Sequence, residues 1–556
     1  MGCGVWYPLG IEYRDFGILL GEKVHGSPSG PLRVAQPGAI GYISPSAPGS
    51  PIACDAGPSR QPLDAMPTAC AQPHLTAPAT ADPVALCQRI NERSPVGGLF
   101  EGDRANLHPD SRLPWRISPE PFWLTPAQAT YLEELGPALL AFQRAANLLY
   151  HQSVKGLQPA WVHQYLDQGK PGRIIDLGRL NRLKSHVPQV IRPDLILTAD
   201  GPRVAELDSV PGGIGFTAHI SGVYSELGYD LVGGATGLID GFWEAICASV
   251  PEEDPVVAIV VSDESEDYRE EMTWLAEVLH HRGHPVYCRH PRDLRVDDDG
   301  LLVETDEGGL ARVHVVYRFF ELFDLANIPK AELITYFAKK NAVRITPTPK
   351  TYLEEKMVLA LFHQPQLAGF WRRELGKRAM GVLSDLIPRS WILDPTPVPP
   401  HAVIPGLMHQ GQPISSWEEL AHFSKKEREL VLKPSGFAKE ATESRGVTIG
   451  HDVPEEAWAA AVREALEGFD RQPHVLQDFH KAARLPVKYY DFDTGTVKGM
   501  HGRVLLRPYY YVVGDETRLG GVQAVACPAD KKILHGMTDA VLTPCAARTE
   551  PDADPA

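Results

Sequence analysis

IRPDLILTADGPRVAELDSVPGGIG, at residues 191–215, combines a strong turn signal with a dense group of charged side chains. Two apolar segments flank the turn-forming run ADGP, a pattern that predicts a β-hairpin. Because side chains alternate across a strand, Arg192 and Asp194 share one face of the first strand, and Glu206 and Asp208 share one face of the second. The paired hairpin would gather three carboxylates and a guanidinium. Such a patch suits Mg²⁺ shared with phosphates, and a solvent-exposed polar face is the alternative.

Composition excludes several classes of protein. The chain has 556 residues, a formal net charge of −16 and 43% hydrophobic residues, which fits two or more soluble domains and argues against nucleic-acid binding as the main function. The apolar run at 256–261 is six residues long, far below the roughly 20 needed to cross a bilayer. No secretion signal is visible, and the eight cysteines have no CxxC spacing. We expect a cytoplasmic protein without membrane or nucleic-acid partners, and its oligomeric state stays open.

The composition also divides the chain. Residues 1–85 are rich in Pro, Ala and Gly and predict a disordered extension, with Met66 as a candidate initiator, and 546–556 predict a disordered tail. Residues 86–190 predict a mainly helical region, in which Thr125 caps a helix that begins at Pro126. Residues 191–250 contain the hairpin and the segment that follows it, and residues 251–345 predict a small parallel α/β unit of alternating strands and helix. Residues 346–545 predict strands and helices that alternate less regularly.

Two lysines precede segments that suit phosphate binding. Lys433 ends a predicted strand and is followed by a small, polar loop that begins at Ser435 and contains Gly446. A strand-end lysine before such a loop fits a phosphate-covering flap, and an ordinary mobile hairpin is the alternative. Lys356 lies near the start of an apolar helix, where a solvated lysine is the common case. The GxxxxGK[ST] loop is absent.

Further downstream, Gln477, Asp478 and Phe479 lie on a predicted strand and suggest a linker that hydrogen-bonds an adenine edge through backbone groups. The sequence has no HExxH, GxSxG or strand-following GxGxxG motif, so a zinc enzyme, an α/β-hydrolase and a dinucleotide-binding enzyme lack support.

Taken together, these motifs resemble the ATP-grasp superfamily, and within it the branch of glutathionylspermidine synthetase and the circularly permuted peptide ligases. That branch has an Arg-x-Asp pair and, twelve residues after its Asp, a Glu-x-Asn pair. Arg192-Pro-Asp194 and Glu206-Leu-Asp208 match this spacing, with Asp208 in place of Asn. The resemblance implies that Asp194, Glu206 and Asp208 hold the Mg²⁺ of MgATP, and that Arg192 stabilises the transferring phosphoryl group.

The same resemblance assigns the other motifs to ATP. Lys356 matches the first nucleotide lysine, although Glu355 replaces the family's asparagine, and Lys433 matches the second. The family's flap corresponds to the loop with Ser435 and Gly446, and its adenine hinge corresponds to Gln477, Asp478 and Phe479. Arg507 matches the closing segment of the permuted proteins. The implied fold is α+β or α/β, with an ATP-grasp-type nucleotide domain at 346–545 and a small parallel α/β substrate-side domain at 251–345.

The implied activity is that of an ATP- and Mg²⁺-dependent carboxylate–amine ligase. ATP would phosphorylate a small-molecule or peptide carboxylate, and an amine would displace phosphate from the acylphosphate. Two alternatives remain open: a catalytically degraded nucleotide-binding protein with a regulatory role, and a phosphotransferase acting on a hydroxyl. Arg318, at a strand end, is predicted to meet a substrate carboxylate, and a structural ion pair is the alternative.

Overall fold

A computed structural model describes residues 82–95, 108–208, 210–441 and 444–548, all within one compact unit, residues 72–556. The predicted terminal disorder and the candidate initiator Met66 therefore lie almost entirely outside the described residues. The architecture is a mixed α+β fold with several sheets. No helix among the described residues is both long and apolar enough to span a membrane.

Eleven α-helices are present in the described residues, and the first four precede the hairpin as the composition predicts. The second begins with the expected cap, because the Thr125 side chain accepts a hydrogen bond from the backbone of Gln128 and Pro126 occupies the first turn. The helices are α1 (Pro83–Arg93), α2 (Pro126–Val154), α3 (Ala160–Asp167), α4 (Gly172–Gly178), α5 (Ile214–Glu226), α6 (Gly237–Cys247), α7 (Arg269–His281), α8 (Ala331–Lys340), α9 (Met357–Phe362), α10 (Ala368–Leu386) and α11 (Glu455–Glu467).

The strands of the described residues build five sheets, two of them small. They are β1 (Phe122–Leu124), β2 (Val190–Thr198), β3 (Gly201–Asp208), β4 (Val257–Val261), β5 (Val286–Arg289), β6 (Arg295–Val296), β7 (Leu301–Glu304), β8 (Leu310–Arg312), β9 (Val315–Phe319), β10 (Arg344–Thr346), β11 (Ser390–Ile392), β12 (Met408–His409), β13 (Gln412–Pro413), β14 (Leu430–Pro434), β15 (Thr448–Ile449), β16 (His474–Asp478), β17 (Arg484–Asp491), β18 (Thr496–Val513), β19 (Glu516–Pro528) and β20 (Val541–Ala547).

The predicted hairpin is present and belongs to the largest sheet. This seven-stranded sheet has the order β1-β20-β19-β18-β2-β3, and β17 also pairs with β18. The run RVLLRPYYYVV predicts a strand at 503–513, but β18 extends over 18 residues because its first part pairs with β17 and its later part with β2. The hairpin is therefore held against strands from the far C-terminal part of the chain.

The predicted parallel α/β unit is a four-stranded sheet of order β10-β9-β4-β5, in which all strands are parallel. Its helix α7 buries Met272, Leu275 and Leu279 against the sheet side, as its periodicity predicts. Gly283 follows that helix at a φ of 91°, which glycine adopts without steric cost. The carboxyl ends of these strands point to one edge, where ligands of parallel sheets bind.

A third sheet, of order β11-β16-β14-β15, carries the strand that ends in Lys433. Its β14 and β16 are antiparallel, with Lys433 opposite Val475 and Val431 opposite Gln477. Because side chains alternate along each strand, Lys433 and Gln477 are able to reach the same face. This face lies toward β3 of the hairpin.

Candidate functional site

A β-bulge links the hairpin to Lys433. Asp194 pairs with Glu206 and Leu195 with Val204, so Ala205 is the extra residue on β3. The Lys433 ammonium donates to this carbonyl at 2.8 Å and to the Gln477 amide oxygen at 2.9 Å. Both partners are neutral, and the ammonium forms no ion pair within the part of the chain that the structure describes, which suits it to an anionic ligand.

The predicted Arg192 is the centre of an ion network on the hairpin face. Its guanidinium donates to Asp194 at 3.0 Å, to Asp208 at 2.8 Å and to the Gly212 carbonyl at 3.0 Å. Arg507, on β18, donates to the second oxygen of Asp194 at 3.2 Å. Asp194 thus bridges two arginines that lie 315 residues apart in the sequence. Arg192 and Asp194 are each only 4–5% exposed, so these charges are held by one another rather than by water.

Lys356 connects the hairpin to the flap, residues 435–446. Its ammonium lies 3.3 Å from the Glu206 carboxylate and donates to the Ala441 carbonyl at 2.8 Å. Lys356 also caps α9, and its backbone N–H donates to the Ser435 carbonyl at 2.9 Å. The described part of the flap is therefore tied to the lysine that the sequence assigns to nucleotide phosphates.

Burial and charge shift the pKa values of this group in different directions. Burial, assisted by the positive charge of Lys356, lowers the pKa of Lys433 to about 8. Burial alone would raise the pKa of Glu206, but Lys356, Lys433 and Arg192 outweigh it and lower that pKa. Burial raises the pKa of Asp208, and the attraction of Arg192 only partly opposes the rise. The site holds Glu206 in its charged form and disfavours charge on Lys433 until an anion arrives.

Two connected cavities bring most of the predicted residues together. The slot, a cavity of about 110 Å³, is lined by Lys356, Lys433, Gln477, Asp478 and Phe479 together with apolar side chains of β2, β3, β14 and β15. The main cavity, of about 630 Å³, is lined by Arg192, Asp194, Glu206, Asp208, Lys356 and Arg507. The two share Asp194, Glu206 and Lys356 along one wall. A larger cavity of about 990 Å³ lies beside β17, and none of the predicted residues lines it.

The three acids converge on the main cavity without forming a ready-made metal cluster. In the described ranges, no group of three or more His, Cys, Asp or Glu side chains is placed to hold a metal ion. The reason is visible in the ion network, because the oxygens of Asp194 face Arg192 and Arg507. One oxygen of Asp208 faces Arg192, and the other accepts from the Val210 backbone at 2.9 Å. Their assignment as metal ligands stays a prediction.

Arg318 is not brought to the cavity wall. Its side chain is 1% exposed, pairs with Glu354 and donates to the carbonyls of Phe320 at 2.7 Å and Pro347 at 3.2 Å. The structural ion pair, which the sequence left as the alternative, is what the structure shows. An arginine so enclosed has no free route to a substrate carboxylate, and we do not assign it that role.

Ser435 and Gly446, predicted to contact ATP, also lie off the cavity walls. Ser435 is fully buried; its hydroxyl donates to Glu355 and accepts from the backbone of Met357 at 2.9 Å. Gly446 packs against Pro434, where an added Cβ would meet the proline ring at 2.7 Å. Both residues shape the base of the flap instead.

Glu355, which replaces the family's asparagine, has a structural partner. Its carboxylate lies 2.6 Å from the Lys170 ammonium, and the two side chains are 2% and 1% exposed. Lys170 comes from the helical N-terminal region, so the substitution is matched by a cation that the motif alone does not reveal. The pair joins that region to the start of α9.

Replacing Glu355 by asparagine, the residue typical of the family, is expected to lower the free energy of unfolding by about 3 kcal/mol, since Lys170 would remain buried without its counter-charge. Urea unfolding followed by circular dichroism measures this change. Glu374→Asn, on the partly exposed surface of α10, is the matched control. A loss below about 1 kcal/mol for Glu355→Asn, as for a surface ion pair, would contradict the structural role.

The predicted adenine hinge lines the slot, but part of its backbone is already used. The N–H of Asp478 donates to the Arg389 carbonyl at 2.9 Å, and the N–H of Phe479 donates to the Glu429 carbonyl at 3.0 Å. Recognition of an adenine edge through the other backbone groups of the hinge stays a prediction. Phe479 still presents its ring to the slot, where it packs edge-on against His451.

Several residues of the main cavity were missed by sequence reasoning. Glu271, on α7, accepts from the backbone N–H groups of Gly213 at 2.6 Å and Phe216 at 2.9 Å, at the start of α5. Burial raises its pKa to about 7, against the lowering effect of these hydrogen bonds. Gln523 also lines the cavity, and so does Glu321, at the end of the run 317–321 that the sequence offers as a candidate substrate lining. Glu271 and Gln523 belong to no motif, so no spacing marked them as functional.

No protein-family model matches the sequence, and no curated protein does so. Among solved structures, the chain is similar to a glutathione synthetase-like effector from Globodera pallida, with 12% identity and a TM-score of 0.49 over 85% of this chain and 100% of that one. It is also similar to a protein provisionally described as a gamma-glutamylcysteine synthetase from Methylobacillus flagellatus, with 11% identity and a TM-score of 0.35 over 74% of this chain and 90% of that one. At these values neither likeness assigns an activity.

Proposed function

We propose that the protein is an ATP-dependent carboxylate–amine ligase of ATP-grasp type. The observation that carries the proposal is the shared wall of the slot and the main cavity, where Lys356 pairs with Glu206 while Lys433 lines the slot beside them. A nucleotide in the slot would direct its phosphates toward the main cavity past these lysines. The domain assignment, with 346–545 binding ATP and 251–345 facing the substrate, belongs to the same proposal.

The residues present fit the phosphates of ATP. The hydrogen-bond partners of Lys433 in the described residues are neutral, and the nearby Glu206 carboxylate pairs with Lys356, so a phosphate would supply a direct counter-charge to the buried Lys433 ammonium. The apolar side chains of Val204, Val431 and Leu505 line the same slot and suit a planar base. The donor chemistry also fits Mg²⁺, which is usually bound by one or two carboxylates together with phosphates and water, so a preassembled three-acid cluster is unnecessary.

In the proposed reaction, the chain's own residues position the substrates and neutralise charge. Lys356 and Lys433 would hold the phosphates, and Arg192 would face the phosphoryl group as it moves to the carboxylate. Glu206, with Asp194 and Asp208, would hold Mg²⁺, which when bound supplies further neutralisation of the phosphates. The neutral amine then forms the C–N bond and releases a proton to solvent, and the C–O bond to phosphate breaks with its electron pair on phosphate. No covalent protein nucleophile is needed.

The absence of a ready-made metal cluster in the described residues favours a second candidate. If the arginines keep Asp194 and Asp208 occupied, the protein would bind a nucleotide without catalysing ligation. The two candidates differ in whether ATP is consumed when an acid and a nucleophile are both supplied.

The test measures ADP release from MgATP with a panel of amino acids and short peptides as acids and hydroxylamine as the nucleophile, with ferric detection of the hydroxamate. The ligase proposal expects ADP and hydroxamate in equal amounts, and only when both substrates are present. Nucleotide binding without turnover across the panel would support the second candidate and count against ligation. An ester of phosphate with a hydroxyl acceptor would contradict both.

In the same assay, Glu206→Gln is expected to reduce ADP release by about 100-fold, because the neutral amide loses both its attraction for Mg²⁺ and its pairing with Lys356. Glu467→Gln, at the exposed end of α11, is the matched control and should behave as the wild type. Undiminished turnover by Glu206→Gln would remove Glu206 from the proposed site.

A further inference from the structure

The main cavity has a second wall, formed at the carboxyl edge of the parallel sheet. Residues that follow β4, β9 and β10 line it, among them the acids Glu264, Asp267, Glu321 and Glu354. The hairpin wall carries Arg192 with the acids Asp194, Glu206 and Asp208, and Arg507 and Lys356 pair with two of these acids. The carboxyl edge of the parallel sheet adds four further carboxylates to the cavity, which suits a ligand of positive charge.

Three of these four acids are either paired with a cation or exposed to water. Glu264 lies 3.1 Å from the Lys439 ammonium of the flap, and Glu354 pairs with Arg318. Asp267 is exposed to solvent, where water screens its charge. Glu321 differs from all of them, since its partly buried carboxylate makes no hydrogen bond or ion pair with any residue in the described ranges.

Partial burial of an unpaired carboxylate disfavours its charged form, and a cation bound beside it favours that form. The charged groups that act on Glu321 are Glu354, Arg318, Asp208 and Lys356. Burial and then the charge of Glu354 raise its pKa to about 8, and the cations only partly oppose the rise. A bound cation would favour the ionised carboxylate and remove this penalty.

A second, independent observation also indicates a ligand that donates hydrogen bonds. Gln523 lines the same cavity and is 1% exposed; its amide nitrogen donates to Thr217 at 2.9 Å, but its buried amide oxygen accepts from no described residue. An unsatisfied buried acceptor costs about 1–3 kcal/mol, so a donor on a ligand would be favoured there. Both Glu321 and Gln523 lack a donor.

The wall beside Glu321 is also aromatic. Tyr268, Phe319 and Phe323 line the cavity, and the rings of Tyr268 and Phe319 lie with centroids 5.4 Å apart. Aromatic rings next to a carboxylate suit an ammonium group on an apolar chain, which gains cation–π attraction and loses little by leaving water. A neutral or anionic nucleophile would gain neither contact.

We propose that Glu321 binds the ammonium group of the amine substrate, which makes it a specificity-determining residue for primary amines on an apolar chain. This inference rests on the proposed ligase function, since it names the class of the second substrate in the same cavity. It places the ammonium at the carboxyl edge of the parallel sheet and the phosphates at the hairpin wall.

The test is calorimetric titration of the full chain with n-butylammonium chloride, with n-butanol as the neutral probe. The wild type is expected to bind n-butylammonium at least tenfold more tightly than n-butanol. Glu321→Gln should bind n-butylammonium at least tenfold more weakly than the wild type. Glu332→Gln, on α8 of the same α/β unit and with a side chain 91% exposed, is the matched control and should be unchanged.

The pH dependence gives a further readout. The alkylammonium stays charged well above neutrality, like a lysine with its pKa of about 10.4, so affinity should rise with pH as Glu321 ionises through its pKa of about 8. Glu321→Gln should abolish this rise, although Glu354 and Asp208 remain. An equal slope in both proteins would overturn the assignment to Glu321.

The outcomes separate this inference from the proposed function. If a non-hydrolysable ATP analogue binds while n-butylammonium does not, or binds Glu321→Gln equally well, the ammonium site is wrong and the nucleotide site stands. If n-butylammonium binds as expected while the analogue binds no form of the protein, the ligase proposal fails and the cation site stands.

Discussion

Replacing Lys433 by methionine is expected to weaken the binding of a non-hydrolysable ATP analogue by about 100-fold. Lys433 is only 6% exposed, so the attraction of its ammonium for a phosphate acts through little water and is stronger than that of a surface lysine. Methionine keeps most of the volume but removes the charge. It also leaves the Ala205 carbonyl and the Gln477 amide oxygen without their donor, which costs about 1–3 kcal/mol of stability.

Lys425→Met, in the exposed segment before β14, is the matched control for this change. Its affinity should equal that of the wild type, and circular dichroism should show that both variants are folded. Calorimetry with the analogue in excess Mg²⁺ measures the effect. A folded Lys433→Met protein that retained wild-type affinity would show that the slot does not receive the phosphates.

The second large effect concerns stability. Asp194→Asn is expected to lower the free energy of unfolding by about 3–5 kcal/mol, because one substitution leaves both Arg192 and Arg507 without the carboxylate that bridges them. Nearby Asp208 still pairs with Arg192, but no other contact of Arg507 with an acid is present in the described residues. The substitution also removes one of the three negative charges that balance Arg192, Arg507 and Lys356 in this network.

Asp200→Asn is a sharp control, since it makes the same chemical change in the exposed turn of the same hairpin. Urea unfolding should place Asp200→Asn within about 0.5 kcal/mol of the wild type. If Asp194→Asn lost equally little free energy of unfolding, the ion network would contribute little to stability. Saturating MgATP analogue should restore less stability to Asp194→Asn than to Asp200→Asn, because ligand binding to the folded state is itself weakened.

The hairpin illustrates what the sequence is able to predict. Alternation along a strand predicts that Arg192 and Asp194 share a face, and their side chains do lie 3.0 Å apart. The bulge at Ala205 was not predictable, because the two strands have no turn residue or glycine there that marks an extra position. That bulge exposes the carbonyl that holds Lys433.

Long-range partners set the limit of sequence reasoning. The pairing of Asp194 with Arg507 requires β2 and β18 to be neighbours, and nothing local to either strand reveals this. Arg318 shows the opposite error. Its position at the end of a strand in the expected substrate-side domain suggested that it binds a substrate carboxylate. Instead, Arg318 pairs with Glu354, 36 residues further along the chain.

The same reasoning explains why the sequence offers Glu321 only as part of a candidate lining, residues 317–321, and does not assign it a role of its own. The role proposed for Glu321 depends on its surroundings. Glu354 is paired with Arg318, Asp267 is exposed to solvent, and the amide oxygen of Gln523 accepts no hydrogen bond from the described residues. None of these is a spacing in the sequence. Polar residues that follow parallel strands are nevertheless a usable signal, because such strands share one ligand-binding edge.

A crystal structure of the full chain with Mg²⁺ and a non-hydrolysable ATP analogue tests the central claim most directly. The account predicts the base in the slot beside Phe479 and the phosphates between Lys433 and Lys356, with Mg²⁺ joining them to Glu206. An analogue bound instead in the cavity beside β17, with the slot vacant, would contradict it.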